Sequence, residues 1–176
     1  MILHADENLT LRAWEFADLD AFYDIYSRDD VMQWLGTRPR RAVASMQEAE
    51  EKLRGFMARS DSMAPPCGLW AVLPQGQESP VGTVLMCPLQ DRGIDSGEVE
   101  IGWHLHPDWQ GRGLATGAAT ALLNHARSDG MTSVLAVTDL DNVKSQAVAS
   151  RLGMFDEGIT DRWFGLTLRQ FRWTSS

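Results

Sequence analysis

The sequence predicts a mixed α/β fold in which helices flank a mostly antiparallel sheet, and three observations support this prediction. Short segments alternate apolar with polar residues and are separated by turn-forming compositions, which is typical of antiparallel hairpins. Other segments repeat apolar residues at helical spacing. A strand, a helix and a strand follow one another past the middle of the chain, and this order favours one pair of adjacent parallel strands.

The first half of the chain is predicted to hold one strand and two or three helices. Alternation in TLRAW predicts a strand at 10–14. The segment EFADLDAFYDIYS has helical spacing, and Asp18 or Glu15 can start its helix. A short helix in DDVMQWLG ends at Gly36, and the amphipathic segment 40–60 predicts a longer helix.

The second half is predicted to begin with three strands that are joined by the turn compositions QGQES and QDRGIDS. Two helices follow, each ending at a glycine, and a strand lies between them. The predicted order is strands at 67–74, 80–89 and 97–107, a helix at 113–130, a strand at 133–139, a helix at 141–154, and strands near 155–164 and 166–173.

Length and composition indicate a globular protein. The chain has 176 residues, of which 44% are apolar and 23% charged, so a packed core is expected rather than disorder. No apolar run is long enough to span a bilayer, and the N-terminal segment lacks the pattern of a signal peptide. Cys67 and Cys87 lack metal-binding spacing and are expected to be free thiols. We therefore expect residues 1–176 to form one cytoplasmic domain.

The net charge of −8 argues against a general nucleic-acid-binding protein, because such proteins need a basic surface to displace counterions. An acidic surface is compatible with a cationic or amine-bearing partner. It also keeps a protein in solution, and the charge alone does not separate these two explanations.

The segment DWQGRGLATGAA at 108–119 predicts an anion-binding helix start. A helix N-terminus offers unpaired amide groups and the positive end of the helix dipole, and glycines let the backbone approach an anion closely. Arg112 adds a positive charge. The alternative is a plain turn whose small residues allow close packing. The segment lacks the Gly-Lys-Ser/Thr of a Walker loop, and antiparallel neighbours of the preceding strand disfavour a dinucleotide fingerprint.

Together with its flanks, this segment resembles the acetyl-coenzyme A binding motif of the GNAT superfamily of N-acetyltransferases. That motif reads Gln/Arg-x-x-Gly-x-Gly/Ala, and residues 110–115 read Gln-Gly-Arg-Gly-Leu-Ala. The block DLDNVKSQAVASRLGMFDEG is similar to the strand and helix that follow in the same superfamily, with Met154 in place of the usual Phe. The opening segment resembles the ribosomal-protein (Rim-type) N-terminal acetyltransferase branch.

The resemblance implies a central, mostly antiparallel sheet of six or seven strands that splays open, flanked by helices. It also implies acetyl-coenzyme A as co-substrate, no metal, and a homodimer. The pantetheine arm would pair with the backbone near 104–106, and the pyrophosphate would bind to 110–116. The residues that would contact the co-substrate are His104, Leu105, His106, Gln110, Gly111, Arg112, Gly113, Leu114, Ala115, Thr116, Asn142 and Ser145.

Acyl transfer to an amine needs a base for the amine, a donor for the carbonyl oxygen and a proton for the leaving thiolate. Alternation in GEVEIGWHLHP puts Glu100 and His104 on the polar face of their strand, and both are candidate bases. Glu100 is the first candidate, and a surface-exposed or ion-paired glutamate is the alternative. A pair of histidines two residues apart can suggest a metal, but no third ligand is evident.

Ser145 is the candidate group near the thioester sulfur, because it matches the serine of the Rim-type branch. Many GNAT enzymes carry a tyrosine acid at the position of Ala149, and this tyrosine is absent. Packing of the helix near the co-substrate is the alternative role for Ser145. Backbone amides around 103–105 are the expected donors to the carbonyl oxygen.

The resemblance thus predicts an N-acetyltransferase in which an amine attacks acetyl-coenzyme A directly within a ternary complex. The acceptor is a protein or peptide N-terminus or a small-molecule amine. The missing tyrosine keeps open a second hypothesis, a non-catalytic module that binds or senses acyl-coenzyme A. A nucleotide-binding domain that uses only the glycine-rich turn is a third.

Overall fold

A twisted sheet of eight strands runs through the part of the protein that this computed structural model describes, residues 2–6 and 8–175. The strands are β1 (Ile2–Asp6), β2 (Leu9–Ala13), β3 (Gly68–Pro74), β4 (Gly82–Asp91), β5 (Ile94–Leu105), β6 (Ser133–Asp139), β7 (Phe155–Thr160) and β8 (Leu168–Thr174). Their spatial order is β1-β2-β3-β4-β5-β6-β8-β7. Every neighbouring pair is antiparallel except β5 and β6, which are parallel.

Helices cover both faces of this sheet. They are α1 (Leu19–Tyr26), α2 (Asp29–Met32), α3 (Met46–Asp61), α4 (Leu114–Ser128) and α5 (Val143–Arg151), with short 3-10 helices at Phe16–Asp18 and Pro107–Trp109. None of the helices in the described ranges combines the length and apolar character that crossing a membrane requires.

Alternation along the strands divides the core into layers. In β3, Trp70 and Val72 join the cluster around α4, whereas Ala71 between them joins the cluster of α1, α2 and α3. The α4 cluster includes buried Leu122 and extends to Ala149 of α5. Thus α1–α3 lie on one face and α4–α5 on the other, as expected when successive side chains of a strand point to opposite faces.

The fold class agrees with the expected mixed α/β architecture, but the sheet has one more strand than the six or seven expected. The additional strand is β1, which pairs with β2 at the edge of the sheet. The predicted strand at 10–14 corresponds to β2.

Several predicted boundaries differ from the structure, as for the short helix, which ends at Met32 and not at Gly36, and two of the differences have clear local reasons. The segment QDRGIDS was expected to be a loop, but Arg92 and Gly93 both have positive φ and form a tight turn, so the strands continue on either side. The third helix starts at Met46 rather than near residue 40. Ser45 is its N-cap, and the Ser45 hydroxyl accepts a hydrogen bond from the amide of Glu48 at 3.2 Å.

A buried ion pair ties β2 to the turn that starts α1. The Arg12 guanidinium donates two hydrogen bonds to the Asp18 carboxylate, at 2.6 and 2.7 Å, and this carboxylate also accepts from the amide of Glu15 at 2.9 Å. The Asp18 side chain is 6% exposed and the Arg12 side chain 17%.

Replacing Asp18 with alanine is expected to lower the free energy of unfolding by about 3 kcal/mol, because it leaves the largely buried Arg12 charge without its carboxylate partner. Urea denaturation measures this loss. The matched control is Glu50→Ala, which removes an exposed pair with Arg54 and is expected to change stability by less than about 0.5 kcal/mol. Equal losses of unfolding free energy in the two variants would contradict the assignment of the Arg12–Asp18 ion pair as a stabilising contact.

Candidate active site

A cleft opens where β5 and β6 separate. The two strands pair at Glu100 and Leu135, and no further pairing joins them within the described residues. The space beyond this point has a volume of about 1440 Å³. It is bordered by the ends of β5 and β6, by the first turns of α4 and α5, and by α1–α3 on the other side.

The edge of β5 that faces the cleft presents backbone groups from alternate residues. His106 donates its amide to Val81 at 2.8 Å, on the β4 side. Backbone groups of successive residues in an antiparallel strand point to opposite edges, so those of Trp103 and Leu105 face the cleft. The side chain of Gln110 donates to the Leu105 carbonyl at 3.2 Å from that side.

Because of this alternation, only some of the backbone groups near 104–106 can contact a pantetheine arm in the cleft. The amides of His104 and His106 point to β4, so they are turned away from an arm lying in the cleft. The amide of Leu105 stays available there, whereas its carbonyl accepts from Gln110. The backbone groups of Trp103 also face the cleft, although Trp103 was expected only as a donor to the carbonyl oxygen.

The start of α4 has the geometry expected of an anion site. Gly113 is the N-cap with φ +80°, and the first intrahelical hydrogen bond runs from the amide of Gly117 to its carbonyl at 2.9 Å. The amides of residues 114–116 therefore have no intrahelical partner. A methyl group added at Gly111 or Gly113 would meet no atom within 4 Å, so the space before these amides is open.

Most residues predicted to contact the co-substrate line this cleft, and two do not. Among the cleft-lining residues are Leu105 and those at 110, 111, 113–116, 142 and 145, as well as His104 through its side chain. Arg112 does not line it, because its guanidinium stacks on the Trp109 ring at 4.6 Å. The His106 side chain instead accepts a hydrogen bond from the amide of Asp108 at 3.2 Å.

The first turn of α5 forms the opposite wall. The Asn142 side chain caps this helix by accepting a hydrogen bond from the Ser145 amide at 3.2 Å. Lys144 donates to the Gln110 side chain at 3.1 Å and so joins the starts of α5 and α4. Ser145 therefore lines the cleft on a helix whose start is held in place.

Glu100 lies at the inner end of the cleft, where the two strands part. Burial raises the pKa of its carboxyl to about 7, and the nearby Arg59 guanidinium acts in the opposite direction. Glu98, two residues earlier, is instead engaged by Arg172 at 3.2 Å. Glu100 is thus a carboxylate whose pKa suits proton transfer near neutral pH.

His104 shares a buried hydrogen-bond network with a residue that sequence reasoning missed. The hydroxyl of Tyr26, on α1, lies 2.6 Å from Nε2 of His104 and 2.8 Å from the Thr83 hydroxyl. Burial lowers the pKa of His104 to about 4, so the ring is neutral at pH 7. The sequence placed Tyr26 only on the apolar stripe of its helix, because its partners are 57 and 78 residues away.

The side chains of His104 and His106 do not converge. His106 Nε2 lies 3.3 Å from Oδ2 of Asp24, whereas His104 contacts Tyr26. Across residues 2–6 and 8–175, no cluster of three or more histidine, cysteine, aspartate or glutamate side chains could hold a metal ion.

Comparisons with known proteins agree with this geometry. Residues 8–155 match the family model described as "Acetyltransferase (GNAT) domain". An uncharacterised N-acetyltransferase of Bacillus subtilis, YnaD, is 24% identical over 153 residues, which cover 86% of this chain and 82% of YnaD. A GNAT-family acetyltransferase from Bacillus anthracis superposes with a TM-score of 0.79 at 21% identity, covering 99% of this chain and 98% of that one. RimL, a ribosomal L7/L12 α-N-protein acetyltransferase in complex with coenzyme A, superposes with the same TM-score at 19% identity, covering 99% and 98%.

The chain therefore belongs to the GNAT acetyltransferase family, because the family model spans most of its length. It is an acetyl-coenzyme A-dependent N-acetyltransferase, and it shares its fold with RimL. The hypothesis of a non-catalytic acyl-coenzyme A sensor is not favoured.

Gly113→Ala is expected to weaken coenzyme A binding and to destabilise the start of α4. A left-handed φ costs an alanine roughly 1–2 kcal/mol, so the backbone at the start of α4 would tend to shift and displace its free amides. Isothermal titration calorimetry with coenzyme A measures the loss. The control is Gly55→Ala, inside α3 with open space around it, which is expected to keep affinity unchanged. Unchanged affinity in Gly113→Ala would contradict an anion site here.

Proposed function

We propose that the acetyl acceptor is a primary amine, which attacks acetyl-coenzyme A directly within a ternary complex. One observation carries the proposal: a carboxylate with a pKa of about 7 lies in the same cleft as the free amides of α4. A peptide or protein α-amine and a small-molecule amine both fit this chemistry. The acceptor named for RimL, a ribosomal protein, supports the first class.

The residues of the cleft suit the parts of acetyl-coenzyme A. The amides of 114–116 suit the pyrophosphate, because they point their hydrogens from the positive end of the helix dipole into open space. The backbone groups of Trp103 and Leu105 suit the pantetheine amides, which need both donors and acceptors. The acetyl group would then lie between Glu100 and Ser145.

Direct attack is supported by the position of the two thiols. Burial raises the pKa of Cys87 to about 12 and also raises that of Cys67, so neither thiol ionises readily at neutral pH. Neither cysteine lines the cleft. Free thiols also support the cytoplasmic location that we propose for the protein.

In the proposed mechanism Glu100 accepts a proton from the ammonium of the acceptor, directly or through water. The released amine attacks the thioester carbonyl, and the amide of Trp103 or Leu105 donates to the oxygen as it becomes negative. The C–S bond then breaks, the excess proton on the attacking nitrogen passes to the leaving sulfur, and the Ser145 hydroxyl donates a hydrogen bond to that sulfur as its negative charge develops. His104 is neutral and held by Tyr26, so we assign it to shaping the cleft rather than to proton transfer.

The test of the proposed function is a panel of amines, including peptides with different N-terminal residues, assayed by release of the free thiol of coenzyme A. Amine-dependent release that also yields the N-acetylated product supports it. Tight binding of acetyl-coenzyme A without release for any amine would overturn it.

Glu100→Gln is expected to lower kcat/KM roughly 100-fold or more, because an amide cannot accept the proton. In the unmodified protein, activity should rise with pH through about 7, since the carboxylate is the active form. The pH profile of kcat/KM, with acetyl-coenzyme A saturating, measures both effects. A wild-type profile without an inflection near 7 would contradict this role.

The stability of Glu100→Gln shows whether a loss of activity comes from the missing base or from a folding defect. Because burial raises the pKa of Glu100, its ionised form destabilises the folded state above the pKa of the unfolded chain. Glu100→Gln should therefore be more stable than the wild type at pH 8, by up to about 3 kcal/mol, and equal to it near pH 4.

Ser145→Ala is expected to lower kcat about tenfold while leaving coenzyme A affinity unchanged, because its hydroxyl would act mainly on the developing thiolate. The matched control is Ser150→Ala on the same helix, whose hydroxyl bonds to the Gln146 carbonyl at 3.1 Å. Steady-state kinetics compares the two variants. Equal kcat values for Ser145→Ala and Ser150→Ala would indicate that Ser145 serves only to pack the helix.

A further inference from the structure

We call the part of the cleft that borders α1–α3 the compartment, and it is continuous with the co-substrate half. Its wall includes the apolar side chains of Phe22, Tyr26, Phe56, Leu69 and Leu85. The aromatic rings pack edge to face, with Phe22 and Phe56 at 5.2 Å and Tyr26 and Phe56 at 5.4 Å. Such rings form a stiff wall for an apolar group of an acceptor.

Two charged side chains of opposite sign reach this compartment without pairing with each other. Arg59 lies in the last turn of α3, and Glu100 lies on β5. Within the described ranges, no ion pair within 4 Å involves either residue. The other basic residues on this side are engaged, Arg40 by Asp139 at 2.7 Å and Lys52 by Glu48 at 3.7 Å.

Arg59 lines the cleft and interacts with groups on the neighbouring strands β4 and β5. It counteracts the effect of burial on the pKa of both Glu100 and the Cys87 thiol, which are paired across β4 and β5. Arg59 and Glu100 therefore line the same cavity without forming an ion pair, and Glu100 marks the position where the acceptor amine would lose its proton.

We propose that Arg59 binds a carboxylate of the acceptor, so that the acceptor is a small amino acid whose ammonium group lies at Glu100. This inference rests on the proposed function and names its substrate class. A guanidinium matches a carboxylate with two parallel hydrogen bonds, and an amino acid presents opposite charges to the two residues. Its side chain would contact the aromatic wall.

The charge distribution agrees with this acceptor. The whole chain has a net charge of −8, yet basic residues outnumber acidic ones among those that line the cleft. An acceptor that carries only positive charge would have to approach Arg59 without compensation. A peptide N-terminus lacks a carboxylate beside its amine, so it would leave the Arg59 guanidinium with only its interaction with the Cys87 thiol.

The test measures binding of matched ligand pairs by ligand-observed NMR with coenzyme A saturating. The pairs are L-methionine, L-phenylalanine and γ-aminobutyrate, each against its carboxamide. At least one acid is expected to bind about tenfold more tightly than its amide, because a charge-assisted hydrogen bond is lost in the amide. Arg59→Gln should remove this difference, and Arg59→Lys should restore part of it.

The matched control is Arg54→Gln on the same helix, whose guanidinium pairs with Glu50 at the surface and should not affect either ligand. A role of Arg59 in stabilising the end of α3 would change acid and amide binding equally. Equal binding of acids and amides by the wild type, or a preference that survives Arg59→Gln, overturns the inference. Thiol release in parallel samples, with acetyl-coenzyme A in place of coenzyme A, decides the proposed function separately, since binding preference does not require turnover.

Discussion

The separation of β5 from β6 after Glu100 and Leu135 is the constraint on which the rest of the site depends. A sheet that continued to pair would satisfy the backbone of Trp103 and Leu105 internally and would leave no cleft. Because the strands part, these groups need partners that the sheet does not supply. The helices that start beyond each strand end then face the same gap, so α4 and α5 contribute their N-terminal turns to one place.

Burial in the cleft shifts the pKa values of Glu100 and His104 in opposite directions. It disfavours the charged form of each, which raises the pKa of Glu100 to about 7 and lowers that of His104 to about 4. The acid thus becomes a base of suitable strength near neutral pH, while the imidazole stays neutral and engages Tyr26. A single environment therefore separates two candidate bases that sequence pattern alone placed on the same face of the strand.

Much of the architecture was predictable from local pattern. Alternation along β5 correctly placed Glu100 and His104 on one face, and the glycines and small residues around Gly113 correctly indicated a helix start with exposed amides. Local pattern failed where a single residue decides the geometry. The two positive φ angles at Arg92 and Gly93 turned an expected loop into a hairpin turn, and the Ser45 cap moved the start of a helix.

The sequence by itself determined the fold class, the family motif and the elements that carry the candidate residues, because these depend on periodicity and on spacing within short segments. Only the tertiary structure decided which backbone groups of β5 face the cleft, that Tyr26 meets His104, and that Arg59 and Glu100 share a compartment without pairing. These relations join residues tens of positions apart. The pairing of strands and the packing of helices bring them together, and neither is encoded in any one segment.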